Sequence, residues 1–241
     1  MSRPLFLVDA LPGVGPFVLD GPEGHHAADV QRVRPGSELL LSDGAGGVAT
    51  ATVAGAGKGR LDLAVTTSAR LDPPSPRLVV AQGIAKGDRG ELAVQAMTEA
   101  GVDEILPWAA SRSVVQWRAE RGHKSREKWA ATAREAAKQA RRPFVPAVGG
   151  DPDVSTRALC ARAAGAFVLH EEADVRLSQA TLPAAGDLLL VIGPEGGISD
   201  EELAALVAAG ALPVRLGEEV LRTSTAGVAA ISVLNVRLGR W

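Results

Sequence analysis

The chain has 241 residues, 46% of them hydrophobic, 22% charged and only 3% aromatic, with a net charge of −2. That content excludes a disordered chain and suffices for one large domain or a small domain followed by a larger one. A single cysteine, Cys160, excludes an intrachain disulfide framework. No run approaches the roughly 18 apolar residues of a membrane span, and Arg3-Pro4 leads directly into Leu5-Phe6-Leu7-Val8 rather than into a signal peptide. A soluble cytoplasmic protein is expected.

The first ~70 residues carry short apolar runs, Leu39-Leu40-Leu41, Val48 to Val53 and Leu61 to Val65, separated by the glycine-rich turns Asp43 to Gly47 and Gly55 to Gly59. Strands at that spacing predict a small barrel or sandwich. Gly55-Ala56-Gly57-Lys58-Gly59 lacks the spacing and the Ser/Thr of a phosphate loop and reads as a hairpin turn. Three prolines within Asp72-Pro73-Pro74-Ser75-Pro76 make a stiff linker and a domain boundary, giving domains at 1–72 and 73–241.

Beyond the linker the pattern alternates. Leu78 to Ala81 predicts a buried strand, Glu91 to Ala100 a helix closed by Gly101, and Ile105-Leu106-Pro107 another strand edge. A basic helix follows, in which Trp129, Ala133, Ala136, Ala137 and Ala140 face a core. Next come a helix from Thr156 to Ala164 closed by Gly165, with Cys160 on its apolar side, and the strands Ala166 to Leu169 and Leu188 to Ile192. Ser199 and Glu202 form a capping box, so Glu201 to Ala209 is a helix ended by Gly210. Val214-Arg215-Leu216 is a short strand and Gly227 to Leu238 a final helix. Strands alternating with helices imply a parallel sheet covered on both faces, an α/β fold.

Charge is unevenly placed. Between Arg112 and Arg142 ten basic residues face three acidic ones, so that segment is +7 and the remainder −9. The cations Lys124, Lys128, Arg134, Lys138 and Arg141 or Arg142 run along the outer side of the helix as a ridge that suits a polyanion or is simply a solvated face.

Two loops carry the chemistry. Gly193-Pro194-Glu195-Gly196-Gly197 leaves the carboxyl end of a buried strand and enters a helix, the place where open α/β sheets bind ligands. Glycines there let a ligand touch backbone groups, although a merely tight turn would also use them. Leu221-Arg222-Thr223 leads towards the last helix, and Arg222 either holds an anion or pairs with Glu218 or Glu219. His170 ends a strand near this region in a structural or lining role. The four histidines offer no metal-ligand spacing, so no metal is expected.

Through these two loops the chain resembles the RsmE family, the small-subunit ribosomal RNA uridine N3 methyltransferases. The resemblance rests on Gly193 to Gly197 and Leu221 to Thr223, on His25-His26, Arg34 and Asp43-Gly44 in the first part, and on Lys86, Gln95, Glu99 to Val102, Pro107, Ser111-Arg112, Trp129 and Arg142 in the centre. It implies a PUA-like RNA-binding barrel at 1–72. It also implies a SPOUT α/β domain at 73–241, with a deep C-terminal trefoil knot and a homodimer. The cofactor would be S-adenosylmethionine and the substrate small-subunit ribosomal RNA or the assembled small subunit. The absence of G-x-G-x-x-G agrees with such a fold, since the commoner methyltransferases place that turn after their first strand.

The implied cofactor pocket comprises Leu169, Ile192, Gly193, Pro194, Glu195, Gly196, Gly197, Leu216, Gly217, Leu221 and Thr223. Arg222 would stabilise the uridine anion, and Glu195 would act as general base or orient Arg222, unless it only caps loop amides. Arg34, Lys86, Arg112, Lys138, Arg141 and Arg142 would meet RNA. Where the family often has a glutamate after Leu-Arg-Thr, this chain has Ser224, so an acid there is not required. Ribose 2′-O methylation and a non-catalytic role in ribosome assembly are the competing readings.

Overall fold

A computed structural model describes residues 3–241, which form two compact units. The first contains the described residues up to Pro73 together with Ala137–Val145; the second contains Pro74–Ala136 and Pro146–Trp241. Among the described residues no helix is long and apolar enough to cross a membrane.

The first unit is built from β1 (Leu5–Leu7), β2 (Gly15–Leu19), a short helix α1 (Gly21–His25) continued by a π-helical turn (His26–Val30), β3 (Glu38–Ser42), β4 (Gly47–Gly57) and β5 (Arg60–Arg70). The strands make one sheet in the order β1-β3-β4-β5-β2, with β1 parallel to β3 and the other pairs antiparallel. Strand periodicity explains its core. Ala49, Ala51 and Val53 alternate inward on β4 and Leu61, Leu63 and Val65 on β5, around Phe6, Leu39 and Leu41. The β4–β5 strands run on through Gly57, so the expected glycine-rich turn contracts to Lys58-Gly59, where Gly59 takes φ +70°.

No linker-based reading anticipates that Ala137–Val145 belongs to this unit. Gly46 N–H donates to Pro143 O and Val145 N–H to Gly44 O, both at 2.9 Å. Gly46 sits at φ +93°, where a Cβ would lie 2.5 Å from Phe144 Cζ. The Asp43 to Gly47 turn is therefore a seat for Phe144 as well as a turn.

The second unit contains β6 (Leu78–Gly83), α2 (Arg89–Ala100), β7 (Glu104–Trp108), α3 (Ala119–Gln139, its last residues in the first unit), β8 (Ala147–Val148), α4 (Thr156–Cys160), β9 (Gly165–Leu169), β10 (Leu188–Ile192), α5 (Asp200–Ala208), β11 (Ala211–Val214) and α6 (Thr223–Arg237). Six parallel strands follow the order β11-β9-β10-β6-β7-β8. Alternate residues feed two cores. Leu78, Val80, Leu188, Leu190 and Phe167 pack with Met97, Trp129, Ile231 and Leu234 on one side, while Val79, Ala81, Leu189, Val191 and Val168 pack with Leu159, Cys160 and Leu206 on the other. The expected α/β sheet covered on both faces is present.

Of the boundaries that differ from the sequence expectation three stand out, the first two because a tertiary bond wins. The helix expected over Thr156 to Ala164 stops at Cys160, since Ala164 N–H is drawn to Asp187 O at 2.9 Å. Arg215 leaves the strand predicted through Leu216, its backbone pairing with Val175 O and Leu177 N. The last helix begins at Thr223, four residues before Gly227, because the hydroxyl residues fill its first turn after an extended Arg222. The Ser199–Glu202 capping box and the left-handed Gly101 helix end are as expected.

Candidate active site

At the carboxyl ends of β9, β10 and β11 the second unit encloses a cavity of about 600 Å³, within the size range of small-molecule sites. Every residue expected in the cofactor pocket lines it: Leu169, Ile192, Gly193, Pro194, Glu195, Gly196, Gly197, Leu216, Gly217, Leu221 and Thr223. Arg222, His170 and Arg112 line it too.

The glycines of the first loop are set by close approach. A Cβ on Gly193 would sit 2.9 Å from Ile198 Cγ1, one on Gly196 would sit 2.9 Å from Arg112 O, and Gly197 takes φ +72°. Close neighbours at Gly193 and Gly196, and the left-handed backbone at Gly197, exclude longer side chains from these positions.

Glu195 does not reach Arg222 in any hydrogen bond or ion pair. Its Oε1 accepts from Lys86 N–H at 3.0 Å and from Arg89 Nη1 at 3.2 Å. The expectation that Glu195 orients Arg222 is therefore replaced by a pairing with Arg89, a residue that no local pattern in the sequence marks.

Arg222 has the opposite surroundings. It is exposed, caps α6 in an extended conformation, and its guanidinium has no hydrogen-bond or ion-pair partner among the described residues. Glu218 is taken by Arg176 at 3.0 Å and Arg215 at 3.6 Å, and among the described residues neither it nor Glu219 makes an ion pair with Arg222. The positive end of the α6 dipole lies beside it and raises the local potential further.

Thr223 ties the two loops. Its Oγ1 donates to Gly193 O at 2.8 Å and accepts from the fully buried Gln82 Nε2 at 2.9 Å. Sequence reasoning misses Gln82, although a polar residue closing the run Leu78 to Ala81 is the available signal. Glu202, expected as a capping residue, does more. Beyond the Ser199 N–H it accepts from Ser111 N–H at 2.6 Å and Ser111 Oγ at 2.8 Å, fixing the segment that carries Arg112. Burial pushes the Glu202 carboxyl up, but the hydrogen bonds from Ser111 and Ser199 together outweigh it and hold the group below the usual carboxylate range. Arg112 in turn donates to Ile198 O at 3.2 Å.

The residues expected to meet RNA do not form one group. Arg112 borders the cavity and Lys86 is exposed shortly before Arg89, while Arg34 and Arg141 are exposed in the first unit. Arg142 is half-buried and has an interaction partner. Lys138 is a correction: only 10% of its side chain is exposed, and its ammonium pairs with Glu23 at 2.8 Å, so it is not on an outer ridge. The ridge is further neutralised where Lys124 pairs with Glu120 and Lys128 with Glu91. Trp129, Ala133, Ala136 and Ala137 are buried as expected, and Ala140 is half-buried.

Comparison with known proteins adds to this geometry. Residues 73–235 match the RNA methyltransferase domain model and residues 19–66 the RNA methyltransferase PUA domain model. The ribosomal RNA small subunit methyltransferase E of Mycobacterium tuberculosis is 46% identical over 249 residues, covering 100% of this chain and 94% of that protein. The protein of the same name from Bacillus subtilis is 31% identical, covering 91% and 89%. The crystal structure of a ribosomal RNA small subunit methyltransferase E from Neisseria gonorrhoeae bound to S-adenosyl methionine superposes with a TM-score of 0.85 at 29% identity, covering 98% of each chain. By its domains, its full-length relatives and its architecture, this chain belongs to the RNA methyltransferase family that includes the ribosomal RNA small subunit methyltransferase E proteins.

Proposed function

We propose that this protein methylates N3 of a uridine in small-subunit ribosomal RNA, using S-adenosylmethionine. The observation that carries the reading is the cavity itself, in a chain 46% identical end to end to a ribosomal RNA small subunit methyltransferase E. A glycine loop and an arginine with no partner among the described residues line the same cavity.

The residues fit the cofactor. S-adenosylmethionine carries an adenosine, a carboxylate and two positive centres, and needs apolar wall, backbone hydrogen bonds and both signs of charge. Leu169, Ile192 and Leu216 supply the wall, and Gly193 to Gly197 and Gly217 supply the backbone. Glu171, Glu172 and Glu219 stand with Arg215 around the same space. Arg215 also has a buried Nε with no partner among the described residues, a donor that a ligand would satisfy.

When bound, the cofactor supplies an electrophilic methyl group. The residues must do the rest. Neutral uridine holds a proton on N3, so the base becomes a nucleophile only once that proton passes to solvent water and the charge on N3, O2 and O4 is stabilised. Arg222 is the group for this, a guanidinium with free donors at the start of α6, so its charge is available to a developing anion. Ser224 stands where a family acid often lies; it is half-buried and contributes at most a hydrogen bond. Thr223 and Gln82 hold Arg222 at a fixed point of the wall through the backbone.

The finer architecture follows the same reading. The first unit would be the PUA-like barrel, with Arg34 and Arg141 towards RNA, and Arg112 and Lys86 would guide RNA at the cavity. The domains would divide at 72 and 73, with Ala137–Val145 returned to the first. The C-terminal trefoil knot of SPOUT enzymes is supported by strand order: the chain leaves edge strand β11, yet Thr223 bonds to Gly193 and Gln82 at the ends of the inner strands β10 and β6. A homodimer in the cytoplasm would cover the exposed Val220, Leu221 and Val236.

The test is incubation with methyl-labelled S-adenosylmethionine and unmodified small ribosomal subunits, followed by identification of the labelled nucleoside. Label in 3-methyluridine is expected. Label in a 2′-O-methyl nucleoside would change the target atom, and RNA binding without any label would move the protein to an assembly role.

A further inference from the structure

The stretch from the end of β6 to the start of α2 touches both walls of the cavity. From its first residues, Gln82 Nε2 donates to Thr223 Oγ1 at 2.9 Å, and a Cβ on Gly83 would lie 2.5 Å from Pro194 N and 2.7 Å from Gly193 C. From its last residues, Lys86 N–H and Arg89 Nη1 both bond Glu195 Oε1. One short segment thus braces the start of α6 at one end and the glycine loop at the other.

Glu195 is the outer brace. Its Oε1 already accepts two hydrogen bonds, one from a backbone amide that cannot move without the chain and one from a guanidinium at the first turn of α2. The loop it belongs to holds three glycines and has little stiffness of its own apart from Pro194. Without the carboxylate, nothing polar in the loop's own side chains ties Gly193 to Gly197 to the rest of the unit.

We propose that Glu195 and Arg89 form a positioning pair, in which Glu195 holds the glycine loop in the shape that receives the cofactor and takes no proton from the substrate. This rests on the S-adenosylmethionine reading of the cavity. A proton acceptor and a brace answer differently to the same substitution. Glu195→Gln keeps an acceptor oxygen for Lys86 N–H and loses the capacity to take a proton; Glu195→Ala loses both.

The experiment is calorimetric titration of S-adenosylmethionine into the wild type, Glu195→Gln, Glu195→Ala, Arg89→Ala and the Arg89→Ala/Glu195→Ala double variant. It is paired with single-turnover methyl transfer to small subunits at saturating cofactor. Glu195→Ala and Arg89→Ala are each expected to weaken cofactor binding about two- to five-fold, the scale of a partly exposed charged pair, with the double variant no worse than either. Glu195→Gln should recover most of that affinity, and at saturating cofactor Glu195→Gln and Glu195→Ala should transfer at the same rate, because neither rate depends on a proton taken by residue 195. Full-affinity Glu195→Gln protein with a collapsed transfer rate would make Glu195 the base and overturn the proposal. Additive losses in the double variant would overturn the pairing. If Glu195→Ala fails to fold by circular dichroism, Glu195→Gln against Arg89→Lys carries the same comparison. Wild-type protein that binds no S-adenosylmethionine would instead overturn the reading of the cavity.

Discussion

The two charged residues that the sequence marks in the cavity, Glu195 and Arg222, sit in opposite circumstances. Glu195 is held by Lys86 and Arg89, whereas Arg222 has no partner for its guanidinium among the described residues. A charge whose hydrogen bonds are made within the protein builds the site; one left with free donors is available to what enters it. The loops themselves repeat the contrast. The Glu195 loop is shaped by close contacts at Gly193 and Gly196, and the Arg222 loop by the single hydroxyl of Thr223.

The sharpest way to break this contrast is at Arg222. Arg222→Ala should lower the transfer rate by about 10²- to 10³-fold, the usual cost of losing one preorganised charge-stabilising donor, while S-adenosylmethionine affinity by calorimetry stays within about two-fold. Equal loss of both would make Arg222 a cofactor contact only. Thr223→Val comes next. It strips Gln82 Nε2 and Gly193 O of a buried partner without changing shape, and should cost roughly 1–3 kcal/mol in denaturant unfolding as well as weakening both loops together.

Glu202 sharpens the comparison from the scaffold side. Its carboxyl lies below the ordinary carboxylate range in the folded state, so its contribution is fully present above the unfolded-state pKa and is lost as pH falls through the lowered folded value. Thermal melts from neutral pH into the acid range should show wild-type stability falling over that window and Glu202→Gln falling less, with about 1 kcal/mol separating the two at neutral pH. The smallest effects belong to RNA. Arg34→Ala and Arg141→Ala should each reduce the slope of log affinity against log salt by about one, as loss of one phosphate contact does. Lys138→Ala should leave that slope alone, because its charge is spent on Glu23.

Much of this architecture is legible in the amino-acid sequence. The linker prolines, the alternation of strands and helices, and the Ser199–Glu202 box depend on local patterns, and local patterns fix elements. The glycine loop and Arg222 mark the end of the sheet where the cavity lies. Pairings between distant segments are not legible in the same way. Arg89 stands 106 positions from Glu195 along the chain, Ser111 meets Glu202, and Phe144 returns to Gly46; each is decided by how strands order in space. The same blindness puts Lys138 on the outside, since helical periodicity sees one helix and not Glu23. It also starts α6 late, because three hydroxyl residues look like a loop until Thr223 finds Gly193 and Gln82.

The proposed division between a chemical Arg222 and a structural Glu195 is tested most directly by single-turnover methyl transfer at saturating S-adenosylmethionine, with Arg222→Ala and Glu195→Gln measured side by side. Arg222→Ala is expected to lose nearly all of the rate while Glu195→Gln stays near wild type. Loss of the rate in Glu195→Gln with Arg222→Ala still active would reverse the roles of the two residues.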